Sequence, residues 1–291
     1  MDQLISPASD QWAPQRRLGV VDGLGPHTTA RFYAMLCENH RALTGGSSPD
    51  VMVHSISVQR RLMEAFSAGS FRPGHQEALQ HLVSRTCRSL AGSGADVIAV
   101  ACNATTIDPA IVAPTCIGMV EATCRTLRRL NVRRVGLLAS SIMVSSAAYE
   151  RGLGEAGITV VAPAPRDQEI IDQFIELQQW SPTRVPVPGE FLRVITKLGD
   201  DVDALLLDCA ELHGVVDTEM AGKPVIDSVR ALVEESCRAL LDPVPDTTAT
   251  ADVVRCVAAA NSVAGARLPS RWSLSRWRPR RPLRSASLVP R

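Results

Sequence analysis

The sequence predicts an α/β protein built from two pseudo-symmetric, parallel-sheet (Rossmann-like) domains. Three observations lead there. Short apolar runs alternate with segments of helical periodicity, as when parallel strands are joined by covering helices. The pattern restarts near residue 133. Each half also ends a central strand on a cysteine, with Gly19 lying 83 residues before Cys102 and Gly136 lying 73 before Cys209. An internal repeat of this kind is the most informative feature of the chain.

In chain order, RLGVVDGLGP at 17–26 is a buried strand that glycine breaks into a tight loop, and TTARFYAMLCENHRAL at 28–43 carries apolar residues at helical spacing. VMVHSI at 51–56 gives a second strand, 75–95 a helix ending in glycines, and DVIAVACNATT at 96–106 a third strand running into a polar turn. CIGMV at 116–120 supplies a short fourth strand, and EATCRTLRRLN a helix. The second half repeats the order: strand at 133–141, helix at 145–157, strand at 158–163, helix at 191–200, strand at 203–213 and a last short strand at 223–228. PTRVPVPG at 182–189 reads as a rigid extended insertion. The expected division is a first domain of 18–118 plus 228–242, a second of 119–227, and a tail of 243–291 whose proline, serine and arginine content cannot bury a core.

The composition of this 291-residue chain, 45% hydrophobic and 21% charged, excludes collagen-like and mostly disordered classes. Its apolar runs fall far short of the ~20 residues of a membrane helix. The first residues carry an early acid and no apolar h-region, so a cytoplasmic location is the default expectation. The net charge of +1 conceals an uneven distribution. Eight of the 31 Lys and Arg lie in 267–291, where there is no acid, leaving 23 bases against 30 acids before it. The basic character therefore belongs to the tail, and no nucleic-acid partner is expected. Eight cysteines without a CxxC pair or close Cys/His spacing fit neither a disulfide scaffold nor a zinc site. Cys37, Cys87, Cys116, Cys124, Cys237 and Cys256 read as small packing hydrophobes.

Cys102 and Cys209 read differently. Both fall at the carboxyl end of a predicted parallel strand, where such sheets form their ligand crevice, and a thiol near a helix N-terminus gains thiolate character. Two acid/base groups on opposite faces of one carbon are what stereoinversion needs. One removes the α-proton as thiolate, and the other returns a proton from the far side as thiol. A reference pKa near ~8.5 brings both forms within reach of neutral pH.

The residues then carry a resemblance. LGVVDGLGPHTTARFY, ACNATT, VGLLASSIMVSSAAYERGL and DCAEL resemble, in order and over about 18–242, the motifs of the aspartate/glutamate racemase family. The resemblance implies a cofactor-independent, metal-free enzyme with the active site between its two domains, commonly a homodimer and acting on a small carbon acid, with Cys102 and Cys209 as the catalytic pair. It implies a substrate-binding set of Asp22, Asn103, Ala104, Thr105, Ser140, Asp208, Ala210 and Glu211, in which Asn103 holds the amino acid and Glu211 supports the second thiol. Arg60 or Arg61 is the candidate for a side-chain carboxylate. Several positions depart from the family pattern: Asp22 and Asp208 replace glycines, Ala104 and Ala210 replace threonines, and Ile142 and Met143 stand where a Gly-Thr is usual. A dicarboxylic substrate is therefore expected to meet repulsion. The expected function is racemisation or epimerisation of an amino acid or related α-substituted acid. The alternatives are another thiol-based reaction, cis-trans isomerisation or decarboxylation, or a binding homologue that has lost catalysis.

Overall fold

The computed structural model describes residues 16–22, 26–58, 73–102, 115–181 and 185–242. The first sheet contains β1 (Arg17–Asp22), β2 (Asp50–Ser55), β3 (Val97–Val100) and β4 (Thr115–Gly118), all parallel, in the order β2-β1-β3-β4. The second contains β5 (Arg134–Leu138), β6 (Thr159–Val161), β7 (Ala204–Leu207) and β8 (Val225–Asp227), in the order β6-β5-β7-β8. Both sheets therefore follow one topology. The first is accompanied by α1 (Pro26–Thr44) and α2 (Pro73–Gly92). Next come α3 (Met119–Arg129), α4 (Ser141–Ser146), α5 (Ala148–Gly154), α6 (Pro165–Trp180), α7 (Gly189–Asp200), the short α8 (Thr218–Ala221) and α9 (Ser228–Leu241). Among the described residues no helix is long and apolar enough to cross a membrane.

The repeat extends to single hydrogen bonds. Asp96, just before β3, accepts from the Arg17 amide at 2.7 Å, and Asp203, just before β7, accepts from the Arg134 amide at 2.9 Å. The same two aspartates donate their own amides to the carbonyls of Arg17 and Arg134. Each carboxylate thus fixes where the central strand pair begins, and with it the register of everything downstream.

Alternation along the central strands divides each half into two packed layers. Val97, Ala99 and Ala101 pack with α1 and α9, whereas Ile98, Val100 and Cys102 pack toward α2. In the second half, Ala204 and Leu206 pack with Tyr149 and Leu153 of α5, whereas Leu205, Leu207 and Cys209 pack toward α6 and α7. Although it follows the second sheet in the chain, α9 buries Val229, Leu232, Val233, Cys237 and Leu240 in the core of the first. Across its outer side, Glu235 is 4% exposed and accepts from Arg129 at 2.6 Å and Arg125 at 3.4 Å, tying α9 to α3.

Gly19 and Gly136 occupy the third position of β1 and β5 because a helix crosses closely over each. A Cβ on Gly136 would meet Leu198 Cγ and Leu205 Cδ2, both at 2.8 Å, while one on Gly19 would meet Leu90 and Ala95 at 3.1 Å. Gly136→Ala should therefore cost ~1–3 kcal/mol of overpacking, with Gly19→Ala costing less. Urea midpoints of the two variants check both the size and the order.

Two local expectations change. The helix expected over 145–157 is two helices, broken at Ala147 in the left-handed region (φ 51, ψ 30). The Ser146 hydroxyl donates to the Met143 carbonyl at 2.7 Å and accepts from the Ala148 amide at 3.3 Å, competing with the backbone ladder at that point. The sequence reading assigns no element to 164–181, yet α6 fills it. Pro165 starts this helix, and Ile171, Phe174 and Ile175 bury one face, with the Phe174 ring 4.3 Å from that of Phe191. The Pro-rich 185–188 segment is irregular, and the 243–291 tail lies outside the described residues.

Candidate active site

Cys102 and Cys209 stand two residues past the ends of β3 and β7, the same position in the two repeats. The hydrogen bonds leading into them also correspond. The Ala101 amide donates to the Val21 carbonyl at 3.4 Å, and the Asp208 amide to the Leu138 carbonyl at 3.0 Å. Both thiols are partly buried.

Cys209 opens a short 3-10 turn, Ala210–Leu212, closed by the Leu212 amide bonding to the Cys209 carbonyl at 3.1 Å. That turn folds the chain back so that the Cys209 thiol donates to Glu211 Oε2 at 2.8 Å. Burial first, then the Glu211 charge and this hydrogen bond, push the Cys209 thiol well above its ordinary range. The neighbouring Asp208 charge acts in the same direction. Cys209 is consequently held as a protonated thiol near neutral pH, hydrogen-bonded to the Glu211 carboxylate.

The two acids that depart from the family pattern both have partners within their own half. Asp22, the last residue of β1, accepts from the Thr29 hydroxyl of α1 at 2.6 Å. Asp208 is 1% exposed, and the Tyr149 hydroxyl donates to its Oδ1. The Asp208 carboxylate lies on the α5 side of the sheet, opposite the layer that Cys209 faces, and only its charge reaches the thiol. Burial, then the Asp208 charge and this hydrogen bond, hold the Tyr149 phenol well above its ordinary range.

Ser140 caps the start of α4 with extended backbone (φ −64, ψ 154), and its carbonyl accepts from the Val144 amide at 3.1 Å. The loop is anchored from α6. Asp172 accepts from the Ser141 amide at 2.9 Å, and Gln168 donates to the Ala139 carbonyl at 2.9 Å. Of the other candidates, Ala210 begins the turn after Cys209, whereas Asn103, Ala104, Thr105, Arg60 and Arg61 lie outside the described residues.

Sequence reasoning missed several supports of the site. His213 Nδ1 bonds to Asp227 Oδ2, while Asp227 Oδ1 caps α9 by accepting from the amides of Val229 at 2.9 Å and Arg230 at 3.1 Å. Arg31 of α1 donates to the His213 carbonyl at 3.2 Å, joining the first half to the segment just after Glu211. Tyr149 was also missed; its signal was the alternation that sends residue 208 to the same side as 204 and 206.

Glu211→Gln separates the two effects of that carboxylate. Removing the charge should lower the Cys209 pKa and speed its alkylation by iodoacetamide at pH 8. Loss of the proton acceptor should reduce turnover by roughly 10²-fold or more. Slower alkylation would show that Glu211 does not hold the proton on the thiol.

The two parallel sheets share one strand order, and in each a cysteine stands two residues past the end of the third strand. The model of the Asp/Glu/Hydantoin racemase family matches residues 21–236, and the chain belongs to that family. A racemase-type function of the isomerase class is what the family supports. Among solved structures, it is similar to the Picrophilus torridus aspartate racemase at 22% identity and TM-score 0.60, over 81% of this chain and 99% of that one. An aspartate racemase homologue from Pyrococcus horikoshii matches at 18% identity and TM-score 0.60, over 78% of this chain and 100% of that one. Glutamate racemase from Thermus thermophilus matches at 22% identity and TM-score 0.52, over 84% and 93%. At these identities the structural likeness establishes the two-domain racemase fold.

Proposed function

We propose that the protein is a cofactor-independent racemase or epimerase of an amino acid or related α-substituted acid, using Cys102 and Cys209 for proton transfer on opposite faces of the α-carbon. The observation carrying this reading is the equivalence of the two thiols, each two residues past the third strand of its own sheet. In one direction Cys102, as thiolate, removes the α-proton, and the neutral Cys209 thiol delivers its own proton from the other side. The Cys209 thiolate so formed then takes a proton from solvent while Cys102 releases the one it abstracted, which restores both groups. In the opposite direction Glu211 takes the Cys209 proton first, and the resulting thiolate acts as base. Asn103 binds the substrate's polar groups, the protein works as a homodimer, and it acts in the cytoplasm. The domain division at 18–118 plus 228–242 and 119–227 places one thiol in each half.

The test is an exchange screen in heavy water over amino acids and α-hydroxy or α-methyl acids, with purified full-length protein. Deuterium should enter the α-position of at least one acid, and added chelator or carbonyl reagent should leave the rate unchanged. Exchange that chelator abolishes would overturn the thiol reading.

A further inference from the structure

A second pair of thiols lies away from the strand ends. Cys87 of α2 is fully buried, and Cys116 of β4 is partly buried against the same cluster, which includes Val83, Leu90, Ile98 and Val100. The register explains their meeting. Cys116 is paired with Ile98, one of the β3 residues directed toward α2, so its side chain points to the helix that carries Cys87. The two thiols are close enough for each to shift the other's pKa by hydrogen bonding. That bond is the main cause lowering the Cys87 pKa, and it raises that of Cys116, with burial adding to the rise. Reactivity toward oxidants follows thiolate character, solvent access and a resolving thiol within reach: the Cys87 pKa is lowered, Cys116 on the edge strand is partly exposed, and the two lie in one cluster. In the sequence the two residues are 29 apart, with no motif spacing to mark them.

We propose that Cys87 and Cys116 are an oxidation site that hydroperoxides convert to an intramolecular disulfide, stapling α2 to β4. One sulfur, as thiolate, attacks the peroxide O–O bond and becomes a sulfenic acid, with hydroxide as leaving group. The second thiol then displaces the sulfenic oxygen as water, its own proton included, and the proton lost when the first thiol ionised neutralises the hydroxide. For hydrogen peroxide, two thiols and one peroxide give one disulfide and two waters, and both electrons pass from sulfur to the peroxide oxygens. A dithiol reductant reverses the bond and is itself oxidised to a disulfide. The loop closed between the two cysteines contains Cys102, so oxidation would tether both flanks of the strand that carries the first thiol.

The experiment does not depend on catalysis. Full-length protein is treated with hydrogen peroxide, its remaining thiols are alkylated, and it is digested with trypsin without reductant for mass spectrometry. The expected product links peptide 86–88 to peptide 89–125 through Cys116, as fragment ions identify, and dithiothreitol releases it. It should form in Cys102→Ser and be lost in both Cys87→Ser and Cys116→Ser. Absence of the linkage in the unmodified protein, or a linkage from Cys87 to Cys102 or Cys124, would overturn the proposal.

Discussion

Serine at either position 102 or 209 is expected to abolish inversion, with kcat/KM falling by roughly 10³-fold or more. A hydroxyl at that position is far too weak an acid to supply a base near neutral pH, and it cannot replace the thiol as a proton donor of matched pKa. The two losses should differ in kind. With Cys209→Ser, Cys102 still faces one side of the carbon and can remove and return a proton there, so deuterium enters with retention. With Cys102→Ser, the remaining thiol is the one held protonated by burial and Glu211, and exchange from its side requires Glu211 to accept the proton first. Chiral chromatography together with proton NMR in heavy water separates inversion from exchange, on whichever acid the screen identifies. Full turnover by both variants would eliminate the two-thiol mechanism.

The topology was legible because it rests on periodicity. Apolar runs such as VIAV and ALLL, fully buried in β3 and β7, can only be central parallel strands once helices flank them, and the two cysteines after them mark the repeat. Helix α6 was not legible in PRDQEIIDQFIELQQW, where polar residues outnumber the apolar stripe and the packing partners lie elsewhere in the chain. At the candidate site the sequence marks the two cysteines by position but not the direction of the side chains beside them. Asp208 adjoins Cys209 in the sequence, yet its side chain is buried with Tyr149. Adjacent residues of an extended strand point to opposite faces, so the neighbour of an inward-facing thiol belongs to the other layer. Applied at 101 and 102, the same rule puts Ala101 with α1 and α9 and Cys102 toward α2, and it makes Ala101 the counterpart of Asp208. The second half thus carries a buried carboxylate where the first has a methyl group, and a tyrosine supplies its hydrogen bond. The Cys87 and Cys116 pair was invisible for a related reason, because their contact depends on strand register rather than on spacing.

The buried pair of Tyr149 and Asp208 should dominate stability in the second half. Tyr149→Phe keeps the ring that fills the core and removes only the hydroxyl bonded to Asp208 Oδ1. A buried acceptor that loses its donor costs about 1–3 kcal/mol, and a buried charge that loses a partner costs more, so a loss of roughly 3 kcal/mol is expected. Combining it with Asp208→Leu should recover much of that loss, because an apolar pair of similar size leaves no acceptor to satisfy. A double-mutant cycle by urea denaturation would measure the coupling directly. The pH dependence has a definite sign. Folding raises the phenol pKa above its ordinary 10.0, so the native state retains a proton that the unfolded chain releases. The associated stability is complete below about pH 10 and is lost as pH rises above it. Tyr149→Phe should flatten that alkaline limb. The same charge also bears on chemistry, since Asp208 helps hold the adjacent Cys209 protonated. Asp208→Asn should therefore lower the Cys209 pKa and speed its alkylation without touching Glu211. An unchanged alkylation rate in that variant, with stability otherwise retained, would confine Asp208 to a packing role.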